Sequence, residues 1–373
     1  MVNYLEKKQT QLDKRKERHQ LSLERYSLKL EEKNDPNKEE KLAKRADFYQ
    51  KDEERFWKQA EKNDKVQKNR IWEIDLLRAL VIIGMIVSHL FTSFGSAFPK
   101  MFDKEILLSY SFFKTMYDID RTNTSFIFTM CILRYVGILV LILLIGINTA
   151  FSRNNLKRAI ILAIVGALES AFFVFAAHYH IMNYVIMGTI TSFAVCLFIY
   201  IGIEAIFSRF EKAWKWICLG IGVTGLIVWG FVRYQFVNPN PNQLYNNFWL
   251  VYHGYASSTN GIWDIKEFTF LKVIQHIFGI TAFGQDYLGV FPWLNYLFIG
   301  AFIGQTVYKD KKSLLHYLDK EGKMTWNEKL NRVTKPLLFF GHKTLIIYVV
   351  HQPIVNLIFI FICAVCLKIP TTW

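Results

Sequence analysis

The chain has 373 residues, 52% of them hydrophobic and 16% aromatic, with a formal net charge of +14. High apolarity and high charge coexist only if they are segregated, and they are: residues up to 68 are mostly Lys, Glu, Arg, Asp and Gln, whereas beyond them apolar runs of about 20 residues recur, each long enough to cross a bilayer core. This excludes a single soluble domain, and the interleaving of acidic with basic residues in the charged part argues against a nucleic-acid partner.

Residues 1–68 read as a charged helical arm. Asn34-Asp35-Pro36-Asn37 breaks it into two helices, the composition of a tight connection. In the second helix Leu42, Ala46, Tyr49, Phe56 and Ala60 follow a 4,3 spacing that Glu53 interrupts, so a short coiled coil and a solvated charged arm are both open readings. The charged start lacks the early apolar core of a secretory signal peptide.

Seven apolar segments follow, at about 75–94, 126–150, 159–177, 183–207, 217–236, 288–308 and 340–367. The expected fold class is therefore all-α, a polytopic membrane helix bundle of about seven spans carrying a cytoplasmic helical arm. The last segment is long enough to tilt, or to kink at Pro353. Lys and Arg cluster after the second, fourth and sixth segments and are sparse in the alternate connections, which predicts a cytoplasmic amino terminus and an extracytoplasmic carboxyl terminus in the plasma membrane. The long outer connection 237–287 carries Tyr245, Phe248, Trp249, Tyr252, Tyr255 and Trp263, an aromatic set suited equally to a sugar ring, a headgroup zone or packing on the bundle.

Polar groups inside apolar helices are costly and mark candidate chemistry. Asp75 and Arg78 are i,i+3 neighbours in the first span and can pair, while His89 lies eleven residues beyond Arg78 on the same face. In the last span Thr344, Tyr348 and His351 share a face, preceded by His342 and Lys343. His351 is placed one to two turns from the cytoplasmic boundary and His89 nearer the outer half. Two histidines facing one cavity suit general acid–base work near neutral pH; two core histidines that merely hydrogen-bond are the other reading. His178 and His180, two apart in a short outer connection, make a weak metal pair, and no metal is expected. The Cys363–Cys366 pair inside an apolar helix reads as small apolar residues.

Arg70-Ile71-Trp72-Glu73-Ile74-Asp75-Leu76-Leu77-Arg78-Ala79, with His89 near the far end of the helix, resembles the opening signature of the heparan-α-glucosaminide N-acetyltransferase catalytic-domain family of bacterial membrane proteins. Phe291-Pro292-Trp293-Leu294, leading to Gly300, is similar to the family's entry into its penultimate helix. Phe340-Gly341-His342-Lys343-Thr344, through Tyr348 to His351-Gln352-Pro353, resembles its closing motif. The resemblance spans about Arg70 to Pro353, with departures at Ala79 (usually glycine), His342 (usually arginine) and Thr191 (a histidine step). It implies that residues 69–373 form a transmembrane acyltransferase-like domain, moving acetyl from cytoplasmic acetyl-CoA to a cell-envelope carbohydrate or lipid-linked sugar. On that reading His89, His351, Asp75 and Arg78 are the catalytic candidates. Arg78, Lys343 and His342 would face the CoA phosphates, and Tyr348 and Trp293 the acceptor. The bilayer is the one certain partner, and a homo-oligomer stays open. A transporter or flippase for a small or lipid-linked solute is the competing reading, because intramembrane histidines and ion pairs also line transport paths.

Overall fold

A computed structural model describes residues 4–68, 71–152, 154–178, 187–237, 270, 274, 277–278, 288–319 and 325–371. It divides into two compact units, Met1–Ile71 and Trp72–Trp373. The aromatic connection 237–287 falls almost entirely outside the described residues, as do His180 and the side chain of His178.

The first unit is a helical hairpin of α1 (Tyr4–Glu32) and α2 (Lys38–Lys68). At the turn Asn34 takes a left-handed φ of 45°, which asparagine tolerates, and Asp35 accepts from the Asn37 N–H at 3.0 Å. Lys41, followed by that N–H, holds the Asp35 carboxyl below its usual range. The seam corrects the expected spacing. Ala46 is exposed; Arg45 turns inward instead, its guanidinium 4.4 Å from the Tyr26 ring. Nor does Glu53 interrupt: it pairs with His19 at 2.8 Å, beside Arg15–Asp52 at 2.8 Å and Ser22–Tyr49 at 2.8 Å. Polar pairs thus carry a seam in which few large apolar side chains are available, with Leu12, Leu30 and Ala60 buried among them.

The second unit begins with α3 (Trp72–Thr92), which widens into a π-turn (Ser93–Ala97) and short helices α4 (Phe98–Met101), α5 (Lys104–Ser109) and α6 (Ser111–Arg121). Long helices α7 (Thr124–Thr149), α8 (Asn155–His178), α9 (Thr189–Phe207) and α10 (Glu211–Val237) follow. After them come α11 (Trp293–Thr306), a 3-10 turn (Leu314–Leu318), α12 (Trp326–Val333), α13 (Lys335–His342), α14 (Thr344–Phe361) and a second π-turn (Ile362–Cys366).

Among the described residues six helices are long and apolar enough to cross a membrane, against the seven segments expected. The difference is α11: the run 288–308 becomes a helix of 14 residues, about 21 Å long, because Gly289 to Pro292 stay outside it. That is shorter than a bilayer's roughly 30 Å hydrocarbon core. Its position explains its apolarity. It packs against α7, α9 and α10, and Trp293, Leu297, Phe298 and Ala301 are buried. The backbones meet closely, for a Cβ on Gly300 would stand 2.3 Å from the Leu143 carbonyl oxygen. By contrast α8 leaves Ile160, Ile164, Leu168, Phe172 and Phe175 exposed, an apolar face that is stable only against lipid. The chain is a membrane protein with an all-α polytopic bundle.

The last apolar segment also differs from expectation. It is two helices, α13 and α14, divided at Lys343, while α14 runs on through Pro353. Beyond α14 the chain end is pinned to the segment after α3: the Asp103 N–H donates to the Pro370 carbonyl at 2.9 Å, and Phe94, Phe98, Phe102, Phe113 and Cys363 form one apolar cluster. First and last spans are thereby held side by side.

Candidate functional site

The site is built along α3, which packs against α7, α13 and α14. At its amino-terminal end α3 begins in a collar of tertiary hydrogen bonds. The Trp72 indole donates to Thr334 at 2.8 Å and its backbone N–H to Asn327 at 3.0 Å. Glu73 accepts from the Ser313 hydroxyl at 2.9 Å and the Leu314 N–H at 2.6 Å, capping the 3-10 turn.

One turn further in, Asp75 is 4% exposed and has two basic side chains against it. Arg78 donates to Oδ1 at 2.8 Å, the expected i,i+3 contact. His342 Nε2 comes from α13 to 3.2 Å of Oδ2. The second contact depends on Gly341, where a Cβ would lie 2.1 Å from the Asp75 carbonyl oxygen; a side chain there would part the helices. Ala79, where the family resemblance predicts glycine, is fully buried at the same junction, so the bare Gly341 opposite makes room for it.

Deeper in the bundle His89 Nδ1 meets His351 Nε2 at 2.8 Å, with the rings 5.0 Å apart and nearly stacked. The two therefore lie at one depth, not the two depths expected. Fourteen residues separate Asp75 from His89 on α3, about 21 Å, while nine separate His342 from His351. The break at Lys343 lets the closing segment make both contacts, which a depth count along one unbroken helix misses.

The hydrogen bonds order the protons. His351 Nδ1 lies 2.7 Å from the Tyr348 carbonyl and 3.1 Å from that of Ile347, acceptors only, so Nδ1 carries hydrogen. In neutral His351, Nε2 then bears the lone pair and accepts from the Nδ1–H of His89. The remaining nitrogen of His89, Nε2, is left with a lone pair. His351 is 9% exposed and His89 half-buried, so His89 is the more accessible of the two.

Around the pair stands a polar group that sequence reasoning missed. Ser93 donates to the His89 carbonyl at 2.9 Å, and Gln352 donates to Ser93 Oγ at 2.8 Å. Asn356 Oδ1 lies 3.3 Å from the same hydroxyl. The available signal was the i+4 step from Gln352 to Asn356 on an otherwise apolar helix.

Tyr348 joins this cluster, its ring 6.2 Å from that of His351. Trp293 does not: it is 1% exposed in the core of the second unit, its ring 5.4 Å from Tyr135 and 5.9 Å from Tyr296. Arg78 and His342 are engaged by Asp75, whereas exposed Lys343 has no ion-pair partner among the described residues. Thr191, at the family's histidine step, packs against Gly166 of α8.

No curated protein and no solved structure matches this chain. The family model described as heparan-alpha-glucosaminide N-acetyltransferase, catalytic, matches residues 70–353, which take in α3 and its signature, the Asp75–Arg78–His342 cluster and the His89–His351 pair. The chain belongs to this family of membrane acetyltransferases.

Proposed function

We propose that the protein transfers acetyl from cytoplasmic acetyl-CoA to a hydroxyl or amine of a cell-envelope glycan or lipid-linked sugar, with His89 as general base. The single observation that carries the reading is the 2.8 Å contact between His89 and His351, whose Nδ1 is committed to backbone carbonyls. That arrangement leaves His89 Nε2 able to accept a proton while its ring is held in place. The acceptor oxygen or nitrogen attacks the acetyl carbonyl carbon as its proton passes to Nε2. The carbon–sulfur bond breaks, and the same proton is then available to the departing thiolate. His351 acts as a positioning residue, fixing the tautomer of His89 and sharing the charge that forms on it.

Lys343, the uncommitted cation, is the leading group for a phosphate of CoA. Arg78 and His342 lie beside it, bound to Asp75. Between that end and the histidines lie about 21 Å of α3, the stretch an extended pantetheine arm would follow. Ser93, Gln352 and Asn356 supply polar groups for the acceptor next to the base.

Purified protein with acetyl-CoA and a panel of envelope sugars should release free thiol and acetylated sugar. His89→Gln keeps a polar side chain of similar reach but cannot take up a proton near neutral pH. It should insert normally, still bind acetyl-CoA, and lose at least about a hundredfold in turnover, the low end for a general base. Near-native turnover would return both histidines to a structural role.

A further inference from the structure

The charged hairpin lies outside the family match and carries a basic groove. A groove between α1 and α2 is lined by Arg18, Arg25 and Lys29 of α1 and Arg45 of α2, with Leu21 and Tyr26 beside them and no acidic residue. On α1 the three cations recur at steps of seven and four, one stripe of the helix.

What marks them is that uncompensated charge gathers in one groove. Several other cations of the hairpin are paired: Arg15 with Asp52, Lys38 with Glu31, Lys41 with Asp35, Lys44 with Glu40 and Lys51 with Asp47. Arg18, Arg25 and Lys29 have no ion-pair partner among the described residues. Arg45 is held in position by the Tyr26 ring and the Ser22 and Tyr49 hydroxyls, all neutral, so its charge is uncompensated too. Large apolar side chains flank the same side: Leu21 is 49% exposed, Leu28 59% and Phe48, three residues after Arg45, 63%. A concentration of unpaired positive charge bordered by exposed apolar groups matches an anionic headgroup zone with acyl chains beneath it. Such a surface is at hand, because the first membrane-spanning helix starts at Trp72, four residues after α2 ends.

We propose that this face of the hairpin binds the anionic phospholipid surface of the membrane in which the second unit is embedded, with the phosphate groups seated among Arg18, Arg25, Lys29 and Arg45. The test is hydrogen–deuterium exchange on the full chain in nanodiscs of phosphatidylcholine or of phosphatidylglycerol. Peptides covering residues 18–29 should exchange at least about fivefold more slowly in phosphatidylglycerol, the effect of a single cation near an anionic surface. The triple variant Arg18→Gln/Arg25→Gln/Lys29→Gln should lose about 10²-fold in affinity for that surface and return to the phosphatidylcholine rate. Peptides of α2 covering residues 50–56, held to α1 by Arg15–Asp52 and His19–Glu53, should keep their protection and so report an intact hairpin. Lys44→Gln/Lys51→Gln/Lys58→Gln, which removes three charges from α2 outside the groove, should leave the phosphatidylglycerol effect in place. Equal exchange in the two lipids would overturn the proposal, as would protection that survives the groove variant or disappears equally in the control. Protection produced in phosphatidylcholine discs by inorganic phosphate alone would assign the groove to a soluble phosphate compound instead.

Discussion

The closest backbone approach in the site lies between Gly341 and Asp75, and it makes Gly341→Ala a sharp test of how the site is assembled. The added Cβ would stand 2.1 Å from the Asp75 carbonyl oxygen, where real Cβ contacts essentially never fall below 3.0 Å. The obstacle is backbone, so no side chain can rotate away, and α13 must retreat by about 1 Å, an overpacking strain of about 1–3 kcal/mol. Helix propensity offsets little, since Gly341 is the penultimate residue of α13 and the roughly 1 kcal/mol advantage of alanine applies to helix interiors. His342 follows directly, so its 3.2 Å contact with Asp75 lengthens, and the register of α14 that brings His351 to His89 shifts with it. A misplacement of about 1 Å at a reacting centre costs about 10²-fold in rate. The assay is the thermal midpoint of the detergent-solubilised protein together with acetyl-transfer turnover. Gly84→Ala serves as control, because nothing lies within 4 Å of its Cβ and it sits inside α3; it should be neutral or stabilising by up to about 1 kcal/mol. A Gly341→Ala protein with native midpoint and native turnover would refute the close approach of α3 and α13 and the site built on it.

Three further outcomes are expected. Asp75→Asn and Arg78→Gln should each lower folded yield as a loss of about 3–5 kcal/mol does, and the double variant should lose less than their sum, because each single change leaves a buried charge uncompensated; strictly additive losses would mean the pair does not act as one. Asp120 lies outside the spans against Gly95, and burial pushes its carboxyl above the usual range, only partly opposed by Arg121. The folded protein therefore holds this proton more tightly than the unfolded chain. Stability falls as pH rises through the window between the ordinary carboxylate value and the raised one, so Asp120→Asn should raise the midpoint at pH 7 and not at pH 3.5; an equal effect at both would remove the titration argument. Reporter fusions at Lys212 and Trp373 should read cytoplasmic and extracytoplasmic, from the alternation of Lys and Arg between connections, which requires the short, buried α11 to complete a seventh crossing; a cytoplasmic Trp373 would mean that the six long helices alone cross.

Much of this protein is legible before it folds, and the reason is periodicity. Segregation of charge from apolar runs identifies a membrane bundle with a charged helical preface, and a helix places Asp75 beside Arg78 whatever surrounds it, because i,i+3 neighbours are fixed by the 3.6-residue turn. The same rule points to His89 and His351 as singular groups on apolar faces. Periodicity is silent on what lies across an interface. Hydropathy cannot tell the buried 14-residue α11 from a long, lipid-facing span, since a helix surrounded by helices is as apolar as one surrounded by lipid. Trp293's place inside that packed layer, apart from the histidine pair, is likewise visible only in the fold. In the hairpin, the expected 4,3 spacing failed at Ala46, and the seam turned by one residue to set the half-buried Arg45 against Tyr26, because polar pairs outnumbered the apolar groups available. The joining of His342 to Asp75 and of His351 to His89, 262 residues apart, rests on tertiary structure alone: on a bare glycine that lets two backbones touch, and on a helix break at Lys343 that brings both histidines of the closing segment onto α3.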